Sequence, residues 1–175
     1  MVLSSKLILI MGGARSGKSA YALSFERSGM RKAFLATAEP GDAEMAARIQ
    51  QHRQRRPAEW VTIEEPIEVP ARLQALEGQF DLAVVDCLTL WLSNLTLRGA
   101  GEEEVLRRAD ALLTAARGCK GTVVFVTNEV GLGVVPETAL GRTFRDLAGL
   151  ANQRVAQAAD EVYLMVAGYP LVVKR

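Results

Sequence analysis

Short, continuously apolar runs alternate along this chain with longer stretches whose apolar positions recur at helical spacing. Lys6–Met11 and Lys32–Ala36 are the first two β-like runs. Leu82–Asp86 (Leu-Ala-Val-Val-Asp) and Thr122–Thr127 (Thr-Val-Val-Phe-Val-Thr) are apolar without alternation, the pattern of strands buried on both faces of a parallel sheet. Helical spacing marks Ser19–Arg27, Asp42–Arg53, Pro66–Leu76, Leu88–Leu95, Glu102–Ala116 and Glu137–Ala159. The tail differs. Glu161–Val166 and Leu171–Lys174 are two short strand-like runs joined by Ala167-Gly168-Tyr169-Pro170, which predicts a hairpin. The alternation as a whole predicts one three-layer α/β domain over residues 1–175. Its central sheet is mostly parallel, with a C-terminal antiparallel hairpin at one edge.

Parallel sheets bind ligands outside the carboxyl ends of their strands. The predicted strands here end in Thr37, in Asp86 and in Thr127-Asn128-Glu129, which sets the expected floor of a site. Composition narrows the ligand. Lys and Arg number 21 against 20 Asp and Glu, so the formal charge of +1 gives no global attraction to nucleic acid or to an anionic membrane. Small anions would have to be caught by local clusters. No apolar run approaches the ~20 residues of a membrane helix, and Met1–Met11 is too short for a secretory signal. The two cysteines, Cys87 and Cys119, show no metal spacing, which fits a buried and a surface thiol in a reducing compartment. The expected location is the cytoplasm.

Directly after the first strand comes Gly12-Gly13-Ala14-Arg15-Ser16-Gly17-Lys18-Ser19. This is G-x-x-x-x-G-K-S, the spacing that wraps backbone N–H groups around the phosphates of a nucleotide. Lys18 would reach the β- and γ-phosphates, and the Ser19 hydroxyl would ligate Mg²⁺. A strand before the loop and a helix after it make the domain P-loop NTPase-like. Asp86, closing an apolar strand, stands where a carboxylate would hold that Mg²⁺; its alternative role is to cap the helix from Leu88.

His52 is the only histidine. Met45 and Ile49 form an apolar stripe on their helix, and His52 follows Ile49 at i+3, which predicts an imidazole facing inward or toward a cleft edge. Arg48, Arg53, Arg55 and Arg56 surround it before Pro57 stops the helix. Such cations disfavour the imidazolium form, and a neutral ring among phosphate-binding arginines suits nucleophilic attack on phosphorus. A solvated basic helix end explains the same arginines equally well. Thr127-Asn128-Glu129 with Gly131 and Gly133 stands where a sensor loop would be, and Arg142, Arg145, Asp146 and Arg154 suit a salt-bridged helix face. Two alternatives stay open: a nucleotide-dependent switch, and a small-molecule kinase with a single activity.

Several segments together resemble the bifunctional adenosylcobinamide kinase / adenosylcobinamide-phosphate guanylyltransferase family. They are the phosphate loop, Asp42–Pro57, Trp60–Pro66, Asp86-Cys87-Leu88-Thr89, Thr127–Gly131, Asp160-Glu161-Val162 and Gly168–Lys174. The likeness covers essentially the whole chain. It implies a transferase of cobalamin biosynthesis with two reactions. A nucleoside triphosphate (ATP or GTP) phosphorylates adenosylcobinamide; GMP then passes from GTP to the resulting phosphate through a covalent GMP–histidine. The resemblance assigns that histidine to His52, with Gln51 standing where some members have a second one. It implies GTP contacts at Gly12–Ser19, at Ala36, Thr37 and Ala38, at Arg53, Gln54, Arg55 and Arg56, and at Glu64 and Asp86. It also implies a homotrimer. The more apolar opening Ala20-Tyr21-Ala22 of the helix after the loop is a small departure.

Overall fold

The structure is a computed structural model, and it describes residues 5–54 and 56–175. Its strands are β1 (Lys6–Gly12), β2 (Lys32–Ala36), β3 (Trp60–Glu64), β4 (Leu82–Asp86), β5 (Thr122–Val126), β6 (Glu161–Val166) and β7 (Tyr169–Lys174). The helices are α1 (Lys18–Leu23), α2 (Ala43–Gln54), α3 (Val69–Ala75), α4 (Leu88–Leu97), α5 (Glu102–Gly118) and α6 (Ala139–Ala158). All seven strands join one sheet in the order β3-β2-β4-β5-β1-β6-β7. Every pairing is parallel except β6 with β7. The expected architecture is therefore present, and the antiparallel edge is β7 alone, because β6 still runs parallel to β1.

Successive side chains of a strand point to opposite faces, so each continuous apolar run feeds two cores. Leu7, Leu9, Leu35, Val85, Val123 and Phe125 pack with Trp91, Leu112 and Val155 on one face. Ile8, Ile10, Phe34, Val84, Val124 and Val126 pack with Ala22 and Tyr163 on the other, where α1 lies. The central strands are apolar throughout for that reason.

Three differences from the sequence reading have local causes. β3 was not anticipated: Trp60-Val61-Thr62-Ile63-Glu64 buries only Trp60 and Ile63, a spacing that fits neither strand template. α1 stops at Leu23 rather than Arg27, where the Ser24 N–H is shared between the Ala20 and Tyr21 carbonyls and tightens the last turn. The hairpin turn is only Ala167-Gly168, both with positive φ, so Tyr169 and Pro170 belong to β7. Among the described residues, no helix is long and apolar enough to cross a membrane.

Candidate nucleotide site and family membership

β1 ends in Gly12, where φ is 151° and a Cβ would lie 2.6 Å from the Met165 carbonyl oxygen on β6. Only glycine fits there without moving backbone. Gly17, at φ 96°, caps α1 from the left-handed region, and a Cβ on it would meet the Gly168 Cα at 3.2 Å. The C-terminal hairpin thus buttresses the loop: the Gly168 N–H donates to the Ser16 carbonyl at 3.0 Å.

Within this cradle Lys18 is 8 % exposed. Its Nζ donates to the Gly13 carbonyl at 2.5 Å and lies 3.4 Å from Ser16 Oγ. Burial lowers its pKa, while the nearby Asp86 carboxylate acts to raise it. Ser19 Oγ donates to Asp86 Oδ2 at 2.6 Å, joining the start of α1 to the end of β4. Burial pushes the Asp86 carboxyl above the ordinary carboxylate range, and Ser19, His52, Lys18 and Arg56 pull it back down, in that order. The helix cap that Asp86 was alternatively expected to provide falls instead on Cys87, without a side-chain bond. Burial raises the Cys87 thiol to about 12, so this sulfur next to Asp86 stays protonated.

The flanking residues divide into struts and free groups. Thr37 is fully buried; its hydroxyl accepts from the Cys87 N–H and donates to the Cys87 carbonyl, both at 2.8 Å. That side chain ties β2 to the end of β4, while Ala36 and Ala38 are half-buried beside it. Arg56 stacks its guanidinium 3.8 Å from the Phe34 ring centroid and donates to Thr62 Oγ1 at 3.0 Å, yet its buried Nε has no partner. Desolvation lowers its pKa first, and the charge of Asp86 counters that. Arg53 pairs with Glu64 at the end of β3, and Gln54 closes α2, exposed. Arg55 lies outside the described residues. Ala14 and Arg15 are exposed on the rim of the loop.

The expectation for His52 needs correction. α2 buries no residue, Met45 and Ile49 are only half-covered, and His52 is exposed rather than turned inward. It is nonetheless among the groups that lower the pKa of the Asp86 carboxyl. Thr127, expected on the floor of the site, turns away from it: it is 1 % exposed, and its hydroxyl is bonded inside the protein to Asn152 and Thr89. Sequence reasoning missed Thr89 and Asn152 because nothing local signals that they meet. Arg145 pairs with Asp146 and Arg154 with Asp110, the salt-bridged face expected of α6, while Arg142 donates to the Pro136 and Glu137 carbonyls. Cys119, expected at the surface, is half-buried against the core.

Known proteins are similar to this chain over nearly its whole length. The protein-family model described as "Cobinamide kinase / cobinamide phosphate guanyltransferase" matches residues 8–173. The bifunctional adenosylcobalamin biosynthesis protein CobP of Pseudomonas aeruginosa is 45 % identical over 173 residues, covering 95 % of this chain and 96 % of its own length. The corresponding protein CobU of Salmonella typhimurium is 41 % identical over 180 residues, covering 96 % and 99 %. CobU of Escherichia coli is 38 % identical over 180 residues with the same coverage. Among solved structures, a KaiC-like protein, PH0186 from Pyrococcus horikoshii OT3, matches with a TM-score of 0.52 over 92 % of this chain and 71 % of its own, at 14 % identity, a likeness of fold alone. With a family model spanning nearly its whole length and relatives well above 30 % identity, the chain belongs to the cobinamide kinase / cobinamide phosphate guanyltransferase family.

Proposed function

We propose that this protein phosphorylates adenosylcobinamide and then transfers GMP from GTP to the phosphate so formed, giving adenosylcobinamide-GDP and pyrophosphate. Family membership supports the two activities. One observation carries the mechanism: Ser19 of the phosphate loop bonds Asp86, and Lys18, Arg56 and the single histidine all act on that carboxyl, although these groups come from three separate segments. The loop amides and Lys18 offset the charge on the triphosphate, and Arg56 approaches it from the β2–β3 side. In guanylyl transfer the neutral ring nitrogen of His52 attacks the α-phosphorus. A P–N bond forms as the bond to the bridging oxygen breaks, and pyrophosphate departs with that electron pair. An oxygen of the cobinamide phosphate then forms its own bond to the same phosphorus and displaces His52.

Ser19 Oγ and Asp86 Oδ2, 2.6 Å apart, form a hard-oxygen pair suited to Mg²⁺. When bound, the ion would neutralise charge on the β- and γ-phosphates. The family resemblance also motivates a homotrimer, with the exposed Tyr169, Leu171, Val172 and Val173 of β7 as apolar surface for a second copy to cover. Sedimentation equilibrium of the pure protein tests that state, and a monomer at micromolar concentration would discard it.

The decisive experiment is incubation with [α-³²P]GTP followed by acid and alkali treatment. Acid-labile, alkali-stable label on the wild type and none on His52→Ala is the expected result, with the kinase step of the variant largely spared. Label retained by His52→Ala would end the histidine mechanism; absence of label from the wild type would favour a kinase or switch without an adduct.

A further inference from the structure

The loop after β5 leaves the sheet between β1 and β4, hence between the phosphate loop and Asp86. Its backbone stays in register with β1 past the end of the strand: the Thr127 N–H donates to the Ile10 carbonyl at 2.9 Å and the Glu129 N–H to the Gly12 carbonyl at 3.0 Å. Alternation therefore continues through residue 128. Val124 and Val126 belong to the face covered by α1, and Val123 and Phe125 to the opposite face. Thr127 thus falls on the opposite face with α4 and α6, while Asn128 falls on the α1 face, the one that carries Ser19 and the Asp86 carboxylate.

Thr127 heads a closed hydrogen-bond chain on that far side. Its hydroxyl donates to Asn152 Oδ1 at 2.8 Å, so the proton between Thr89 and Thr127, 3.1 Å apart, comes from Thr89. Thr89 Oγ1 accepts the Asn128 N–H at 2.7 Å, and Asn152 Nδ2 donates to the Asn128 carbonyl at 3.2 Å. Thr89, Thr127 and Asn152 are each less than 9 % exposed. Two buried polar side chains, Thr89 of α4 and Asn152 of α6, thus grip both backbone groups of one residue, and Thr127 just past β5 links the two. The Asn128 carboxamide is left without a hydrogen-bond partner among the described residues. Satisfied buried networks of this kind rigidify what they hold.

We infer that Asn128 is a further catalytic residue of the phosphoryl-transfer step, held by Thr89, Thr127 and Asn152 as positioning residues. The inference rests on the kinase reading above. The Asn128 Nδ2 donates to a non-bridging oxygen of the γ-phosphoryl group during transfer. The bond from the acceptor hydroxyl oxygen to the γ-phosphorus forms as the bond to the β,γ-bridging oxygen breaks. The nucleoside diphosphate leaves with that electron pair, and the hydroxyl proton passes to buffer; Asn128 neither gains nor loses a proton. Guanylyl transfer breaks the bond at the α-phosphorus instead, so Asn128 bears on it far less.

The test assays each half-reaction separately: phosphorylation of adenosylcobinamide, and GMP transfer to preformed adenosylcobinamide phosphate. Asn128→Ala is expected to lower kcat of the first on the order of 100-fold, the scale for losing one donor to a transition-state oxyanion. The nucleotide KM and the GMP transfer rate should change less than about threefold on the same scale. Asn152→Asp keeps the acceptor for Thr127 but loses the donor to Asn128, and should reproduce the selective loss. The double variant should fall no further than Asn128→Ala alone, because both act on one interaction. Unchanged phosphorylation in Asn128→Ala, equal loss in both half-reactions, or additive losses in the double variant would each overturn the inference. A wild-type protein that phosphorylates nothing would instead overturn the kinase reading itself.

Discussion

Lys18 is 8 % exposed and bonded to the loop's own backbone, whereas His52 stands on a twelve-residue helix that buries no side chain. The phosphate loop is braced from three sides: by β1 beneath it, by Asp86 of β4 through Ser19, and by the β6–β7 turn through Ser16. α2 is held by little more than the half-covered Met45 and Ile49, the Asp42 side chain accepting from the Met45 N–H at 2.7 Å, and the Arg53–Glu64 pair. In the proposed mechanism the two regions carry different parts of one reaction. A group that stabilises charge in place gains from rigidity, since preorganised donors need no rearrangement at the moment of transfer. A nucleophile that must approach phosphorus, bond to it and be displaced is compatible with a loosely packed element.

Four measurements would break or sharpen that contrast. The largest effect is expected for Lys18→Ala, which should cost both half-reactions about 10³-fold in kcat/KM. It should leave the melting temperature unchanged or higher, because burial already disfavours this ammonium; a clear fall in melting temperature would show that Lys18 also braces the loop. Next is Gly12→Ala, whose Cβ would press on the Met165 carbonyl at 2.6 Å. Denaturant unfolding should show a loss of about 2–3 kcal/mol together with weakened nucleotide binding, and a neutral result would mean that the cradle is more pliable than described.

A smaller effect is expected where β1 begins. Asp160 accepts the Leu7 N–H at 2.7 Å and is bidentate to Arg117 at 2.8 and 3.0 Å. The Arg117 hydrogen bonds, chiefly, hold its pKa below the ordinary 3.8. A depressed carboxyl stabilises the fold above its unfolded value, and that contribution is lost as pH falls through the folded value. Asp160→Asn should therefore cost about 1 kcal/mol in urea titrations at neutral pH, with the gap from wild type closing below about pH 3.8; a gap independent of pH would show that charge is not what Asp160 contributes. The smallest effect is expected on α2. Ala47→Gly should lower amide-exchange protection within that helix about fivefold, the equivalent of its ~1 kcal/mol propensity cost, while global stability moves less than about 0.5 kcal/mol. A drop of several degrees in melting temperature would place α2 in the cooperative core and remove the contrast.

Legibility in the sequence follows the same division. β2 and β4 were readable to the residue because strands buried on both faces write an unbroken apolar run, and the phosphate loop because its spacing is contiguous. β3 was not, since an edge strand that buries Trp60 and Ile63 alone has no period to detect. Of the two placements expected for His52, inward or toward a cleft edge, the inward one failed for a related reason: Met45 and Ile49 form a stripe, but a stripe shows only which side is apolar, not whether anything packs against it. Thr37 and Thr127 looked like ligand groups from their positions at strand ends, and the hydroxyls of both are bonded inside the protein.

The sequence by itself determined the α/β alternation, the phosphate loop, the strand-terminal carboxylate and the family, because each is written in neighbouring residues or in segments shared with relatives. Only the tertiary structure decided that β5 lies between β1 and β4, that Asp86 meets Ser19, and that Thr89, Thr127 and Asn152 converge on Asn128. Those contacts join residues 24 to 67 positions apart. At such separations the strand order of the sheet, not local spacing, chooses which side chains meet.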